Sequence, residues 1–195
     1  NISDITPYEH AINYYYEKKY NLAVEILREI AKNGEKLEYK NQAKFVLALC
    51  YEFGNGVTKD FKKAFNIFLE LSNSQSHNTE VKDCLAKYYF VSWGMKKDIN
   101  KSYELYLELS KTESDQQYSA KLMLAKFYLH GWGVVKRNQK KAFELFSELL
   151  KSKLYEQNSA KYLLASCYEN GEGVTKDVNK ACQLYLDLSK TQSLI

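Results

Sequence analysis

Apolar residues recur along this chain with helical period, in stretches that themselves recur. One stretch reads Ala43-x-x-x-Leu47-Ala48-x-x-Tyr51. It returns as Val81, Leu85, Ala86 and Tyr89, as Ala120, Leu124, Ala125 and Tyr128, and as Ala160, Leu164, Ala165 and Tyr168. Offsets of 4, 5 and 8 put these side chains on one face of a helix. The central small residues let a neighbouring helix approach closely, and the terminal tyrosine adds buried area with a hydroxyl to place. A second helical stretch follows each first one: Ala64-Phe65-x-Ile67-Phe68-Leu69-x-Leu71, Ser102-Tyr103-x-Leu105-Tyr106-Leu107-x-Leu109, Ala142-Phe143-x-Leu145-Phe146-x-x-Leu149, and Ala181-x-x-Leu184-Tyr185-Leu186-x-Leu188.

A loop joins the two stretches. It reads Gly54-Asn55-Gly56-Val57-Thr58-Lys59-Asp60, then Gly131-Trp132-Gly133-Val134, then Gly171-Glu172-Gly173-Val174-Thr175-Lys176-Asp177, with a worn copy at Ser92-Trp93-Gly94-Met95-Lys96-Lys97-Asp98. The second glycines fall at 56, 94, 133 and 173, spacings of 38, 39 and 40. Such a period is the signature of a repeat array. Gly54, Gly131 and Gly171 stand where a left-handed residue ends a helix. Val57, Met95, Val134 and Val174 each place one apolar side chain in the loop as an anchor. Four residues before each small residue of the second stretch stand Asp60, Asp98, Asn138 and Asp177, all strong N-cap types. Gly133 precedes Ala142 by nine residues where the equivalent spacing is otherwise eight, so that loop carries an insertion.

The first unit runs Tyr14-Tyr15-Tyr16-Glu17-Lys18-Lys19-Tyr20-Asn21-Leu22-Ala23 with no glycine loop. Ala23 lies 41 residues before Ala64 and keeps the second helix in phase. The pattern therefore predicts five helix hairpins, near 6–34, 38–74, 78–112, 115–152 and 155–191, in a single array over residues 1–195. The class is all-α: an α-solenoid, expected to wind as a right-handed superhelix. Arrays of this kind present a surface more often than they build a catalytic pocket.

Composition narrows the function. The chain has 195 residues, 45% of them hydrophobic, and a single proline, Pro7. Its net charge of +4 comes from 28 basic and 24 acidic residues spread along the chain, with no basic stripe for nucleic acid. No apolar run reaches the length of a membrane span. Cys50, Cys84, Cys167 and Cys182 form no Cys-x-x-Cys pair, so no zinc or redox motif is indicated. Cys50 and Cys167 share a repeat slot with Tyr88 and Phe127, which marks it as a core position. With no disulfide framework, a reducing compartment such as the cytoplasm is favoured. The Gly-x-Gly loops lack the preceding strand and third glycine of a phosphate-binding turn, so no cofactor is expected. No nucleophile–base pair is visible, and His10, His77 and His130 are singletons without a helical metal partner.

These residues resemble the Sel1-like repeat, a relative of the tetratricopeptide repeat with a longer loop. That family's pattern is Ala-x-x-x-Leu-Gly-x-x-Tyr, a Gly-x-Gly-Val-x-x-Asp loop, then Lys-Ala and an aromatic-rich second helix. Here Ala48, Ala86, Ala125 and Ala165 stand in place of the helix glycine, and Ser92-Trp93 in place of one loop glycine. The resemblance covers residues 6 to 191. A secreted branch staples each repeat with a cysteine pair, and the cysteines here do not repeat that way. The resemblance implies a non-enzymatic scaffold or adaptor that binds a protein or peptide in its concave face. It equally accommodates a regulatory subunit or domain of an enzyme (a kinase, a polysaccharide synthase or a ubiquitin-ligase complex) with catalysis elsewhere. A secretory-pathway lumen or a bacterial effector role is also compatible with it.

In the related tetratricopeptide fold the first helices line the concave face. Carried onto the repeat tyrosine, those slots nominate Tyr14, Phe45, Leu49, Phe53, Lys87, Phe90, Lys126, His130, Tyr162 and Glu169. Lys87 and Lys126 share one slot: they are either solvated surface lysines or a small cationic patch for a carboxylate or acidic peptide. Phe45, Phe53 and Tyr162 are either ligand contacts or packing between repeats. The last hairpin resembles an internal one and leads into no charged cap. The chain is therefore expected to be a segment of a longer array whose open C-terminal edge, at Leu184, Leu188 and Leu194, favours self-association or a further repeat.

Overall fold

A computed structural model describes residues 5–74, 78–93, 96–151 and 157–192, and the regular structure of those residues is entirely helical. The helices are α1 (Pro7–Tyr16), α2 (Tyr20–Asn33), α3 (Leu37–Phe53), α4 (Phe61–Asn73), α5 (Thr79–Val91), α6 (Ile99–Leu109), α7 (Gln116–His130), α8 (Gln139–Lys151), α9 (Gln157–Asn170) and α10 (Val178–Gln192). Two compact units result, one up to Lys97 and one from Asp98. In the first, α1, α2, α3, α4 and α5 each pack on the next; in the second, α6 to α10 do the same.

The repeated apolar positions are the core. Ala48, Ala86, Ala125 and Ala165 are fully buried, as close helix approach requires. In the second helices, Phe68, Tyr106 and Phe146 are buried. The shared slot of Cys50, Tyr88, Phe127 and Cys167 is buried in every copy. Its occupant correlates with the loop. Where the slot is aromatic, a loop tryptophan packs edge-on against it: Trp93 on Tyr88 at 5.1 Å and Trp132 on Phe127 at 5.6 Å. Where the slot is cysteine, the same loop position is polar and reaches back to the preceding hairpin. Asn55 donates to the Tyr15 hydroxyl at 3.0 Å, and Glu172 accepts from Gln139 at 3.2 Å and Arg137 at 3.3 Å.

The four second helices that follow a repeat loop, α4, α6, α8 and α10, carry the expected caps, whereas α2, preceded by Lys19, has no side-chain cap bond. The carboxylates of Asp60, Asp98 and Asp177 and the amide oxygen of Asn138 each accept from the backbone N–H three residues on, at 2.9–3.0 Å. In three loops the cap residue's own N–H donates to the carbonyl of the repeat tyrosine: Asp60 to Tyr51, Asn138 to Tyr128 and Asp177 to Tyr168. A lysine three residues after the cap lies over that same ring, Lys63 on Tyr51 at 5.4 Å, Lys141 on Tyr128 at 4.2 Å and Lys180 on Tyr168 at 5.1 Å. Each loop is thereby tied at both ends.

The loop anchors differ from expectation at one place. Val57 and Val174 pack against their cores, but Val134 is 69% exposed and Val135 takes the buried position. The inserted residue shifts the register by one, so the second valine reaches the core. Met95 lies outside the described residues.

Candidate functional site

The first helices supply a face of aromatic and charged residues, and each unit gathers part of it into a cleft. In the second unit, Lys126 of α7 and Tyr162 of α9 line one cleft of about 600 Å³, with Leu163, Tyr185 and Leu188 beside them. Tyr162 is 56% exposed and its ring lies 5.7 Å from that of Tyr185. The Tyr185 hydroxyl donates to the Glu169 carboxylate at 3.0 Å. Burial, reinforced by that carboxylate, pushes the Tyr185 phenol up to about 12. Tyr162 and Glu169 are thus connected through Tyr185 of α10, and Lys126 lines the same cleft. His130 stands apart, exposed and stacked on Trp132 at 4.7 Å.

In the first unit, Phe45 is half-buried, edge-on to Phe68 at 5.7 Å, and lines a cleft of about 590 Å³. The other nominated residues of this unit are dispersed. Tyr14 is half-buried beneath the Lys19 ammonium at 5.6 Å, and Phe90 beneath that of Lys97 at 5.7 Å. Leu49 is half-buried and Phe53 is 59% exposed. Lys87 is held by Asp83 one turn earlier at 2.6 Å. Burial works against the Lys87 charge, but the hydrogen bond and field of Asp83 outweigh it and hold the ammonium above the usual lysine range. Asp83 is itself buried, with Oδ1 lacking a hydrogen-bond partner. The two lysines that share a repeat slot are therefore in different situations: Lys87 neutralises a buried carboxylate, and Lys126 lines a cleft.

Several cleft residues are not evident from the sequence. Tyr185 occupies the second-helix position that holds buried Phe68, Tyr106 and Phe146 in the other repeats, and only here is the ring half-exposed. Tyr8, Leu37, Glu38 and Glu80 line the first unit's cleft and belong to no repeated motif. Leu184 is half-buried against the core of the second unit, and Leu188 is half-buried in the cleft; Leu194 lies outside the described residues.

Three of the four thiols, Cys50, Cys84 and Cys167, are not poised for chemistry, whereas Cys182 is exposed. Burial pushes Cys50 and Cys167 up to about 11 and Cys84 up to about 12. Among the described residues no three His, Cys, Asp or Glu side chains come together as a metal site, and no helix is long and apolar enough to cross a membrane.

Comparison with known proteins agrees with this architecture. The family model for the Sel1 repeat matches residues 41–73, 85–111, 119–149 and 158–186. A Sel1 repeat protein from Oxalobacter formigenes has a crystal structure that superposes with a TM-score of 0.75 at 22% identity, covering 94% of this chain and 69% of that one. The structure of c5321, a protective antigen of uropathogenic Escherichia coli strains with an SLR fold, gives 0.72 at 21% identity, covering 95% and 38%. No curated protein matches the sequence.

Proposed function

This chain belongs to the Sel1 repeat family, a family of non-catalytic interaction scaffolds, and on that premise we propose that it grips a segment of a partner protein through the faces of its first helices. The observation that carries the reading is the second unit's cleft, where an ammonium, an exposed tyrosine and a second tyrosine ring surround leucine side chains. That combination suits a peptide bearing a carboxylate beside an aliphatic side chain. Lys126 supplies the charge. Tyr162 supplies rigid contact area at little entropic cost, since its ring already rests on Tyr185.

Fluorescence polarisation with a blocked, labelled pentapeptide alternating glutamate and leucine tests this. Lys126→Glu should weaken binding about tenfold, and Tyr162→Ala by a similar factor. Undiminished affinity in both variants would remove the cleft from consideration. A pull-down with the intact chain then separates the two roles: a single stoichiometric enzyme would make it a regulatory subunit, and several exchanging partners a scaffold.

A further inference from the structure

We propose that the cleft of the first unit is a second docking site, for a cationic and partly aliphatic segment of a partner protein. This rests on reading the chain as a binder of protein segments, but not on the second unit's cleft. The floor is apolar: Phe45 lies edge-on to Phe68, and Leu71 is almost fully buried. Leu37 stands at the rim 69% exposed, an aliphatic side chain left in water beside an open cleft of about 590 Å³. That volume suits a few side chains of a peptide.

The charge around this floor has one sign. Glu38 of α3 and Glu80 of α5 are both exposed carboxylates, and no lysine or arginine is among the described lining residues. This is a local reversal in a chain whose net charge is +4. An anionic segment would meet two carboxylates and no cation among the described lining residues, so complementarity selects a lysine- or arginine-bearing one. The amide groups of Asn41 and Gln42 add hydrogen-bonding capacity for a peptide backbone.

The aromatic wall points the same way. Tyr8 of α1 lines the cleft and stacks on Tyr39 at 6.1 Å. The chain already places a cation on this stack, with the Lys36 ammonium 5.6 Å from the Tyr39 ring. Tyr8 offers a ring of the same kind to an incoming ammonium or guanidinium. Burial raises the Tyr8 phenol first of all, and the Glu80 field contributes in the same direction, so the carboxylate's influence reaches the ring.

The test uses the full chain and two blocked, labelled pentapeptides, one alternating lysine with leucine and one alternating glutamate with leucine. The lysine peptide should bind more tightly as salt is lowered. The double variant Glu38→Gln, Glu80→Gln should weaken it about tenfold, as expected for two exposed ion pairs, with the melting temperature preserved. Lys126→Glu should leave its binding unchanged. Failure of the chain to bind the lysine peptide, or full affinity for it in the double glutamine variant, overturns the proposal. So does concentration-dependent self-association in sedimentation that the same variant abolishes, because a second copy would then be the occupant. If the glutamate peptide binds through Lys126 and the lysine peptide does not bind, this site fails and the functional reading stands. The converse result keeps this site and removes the one in the second unit.

Discussion

Gly171 and Gly173 stand two residues apart, and both have left-handed backbones, with φ of 73° and 75°. They answer to different constraints. A Cβ on Gly171 would meet nothing closer than the Lys176 side chain at 3.5 Å, an ordinary contact, so alanine there bears only the backbone cost of about 1–2 kcal/mol. A Cβ on Gly173 would collide with the Gln139 carbonyl and lie 2.7 Å from the Lys140 nitrogen, at the start of α8. Gly173→Ala should therefore cost at least about 1 kcal/mol more than Gly171→Ala, the usual scale of overpacking, as read from chemical denaturation. Equal costs would show that α8 yields freely. The buried thiols make a second prediction at this scale. Cys50 and Cys167 are raised to about 11 from the usual 9.0, so the fold favours their protonated form. Their contribution to stability is complete below about pH 9 and is lost as pH rises towards 11, where only the unfolded chain ionises readily. Melting temperature should fall across that window, and less steeply in the Cys50→Ala, Cys167→Ala variant. Identical slopes would mean the thiols ionise alike in both states.

At the scale of the element, the caps discriminate between aspartates that look alike in sequence. Asp177 accepts from the Lys180 N–H at 3.0 Å, whereas Asp115 precedes α7 with helical dihedrals and makes no side-chain cap bond. Asp177→Ala should cost about 1 kcal/mol, and Asp115→Ala no more than about 0.5 kcal/mol. Thermal melts should separate them by about 1–4 °C, on a scale of roughly 2–4 °C per kcal/mol for a chain of this size. A larger loss at Asp115 would contradict the cap assignment. Repeat-equivalent ion pairs also span helix hairpins, Lys44 to Glu70 at 2.6 Å and Lys121 to Glu148 at 2.8 Å. Their acidic partners are mostly exposed, so they add little stability but favour one hairpin register.

For the whole molecule, helices within each unit pack on the next in line, and in a repeat array damage should remain local. Phe146 is fully buried in the second unit, and Phe146→Ala should cost about 3–5 kcal/mol. Hydrogen exchange should show the loss of protection concentrated after residue 98, with α1 to α4 retaining theirs. A uniform loss along the chain would mean that the two units open together. The two clefts, one in each unit, carry opposite charge, Lys126 in the second and Glu38 and Glu80 in the first.

Local chemistry alone makes much of this protein legible in its sequence. Apolar positions at helical spacing mark the helices, because burial of one face follows directly from the period. The caps at Asp60, Asp98, Asn138 and Asp177 are legible because a cap is a contact three residues long. Ala48, Ala86, Ala125 and Ala165 announce close packing by their size. Contacts that depend on residues tens of positions away are decided only by the tertiary structure. Val135 rather than Val134 anchors its loop, because the inserted residue shifts which side chain meets the core. Gly173 is glycine on account of Gln139, in the preceding repeat. Lys87 and Lys126 occupy one slot of the repeat, yet the first is held by buried Asp83 and the second faces a cleft. Periodicity specifies which face a residue lies on. What that face meets depends on how the neighbouring helices pack against it.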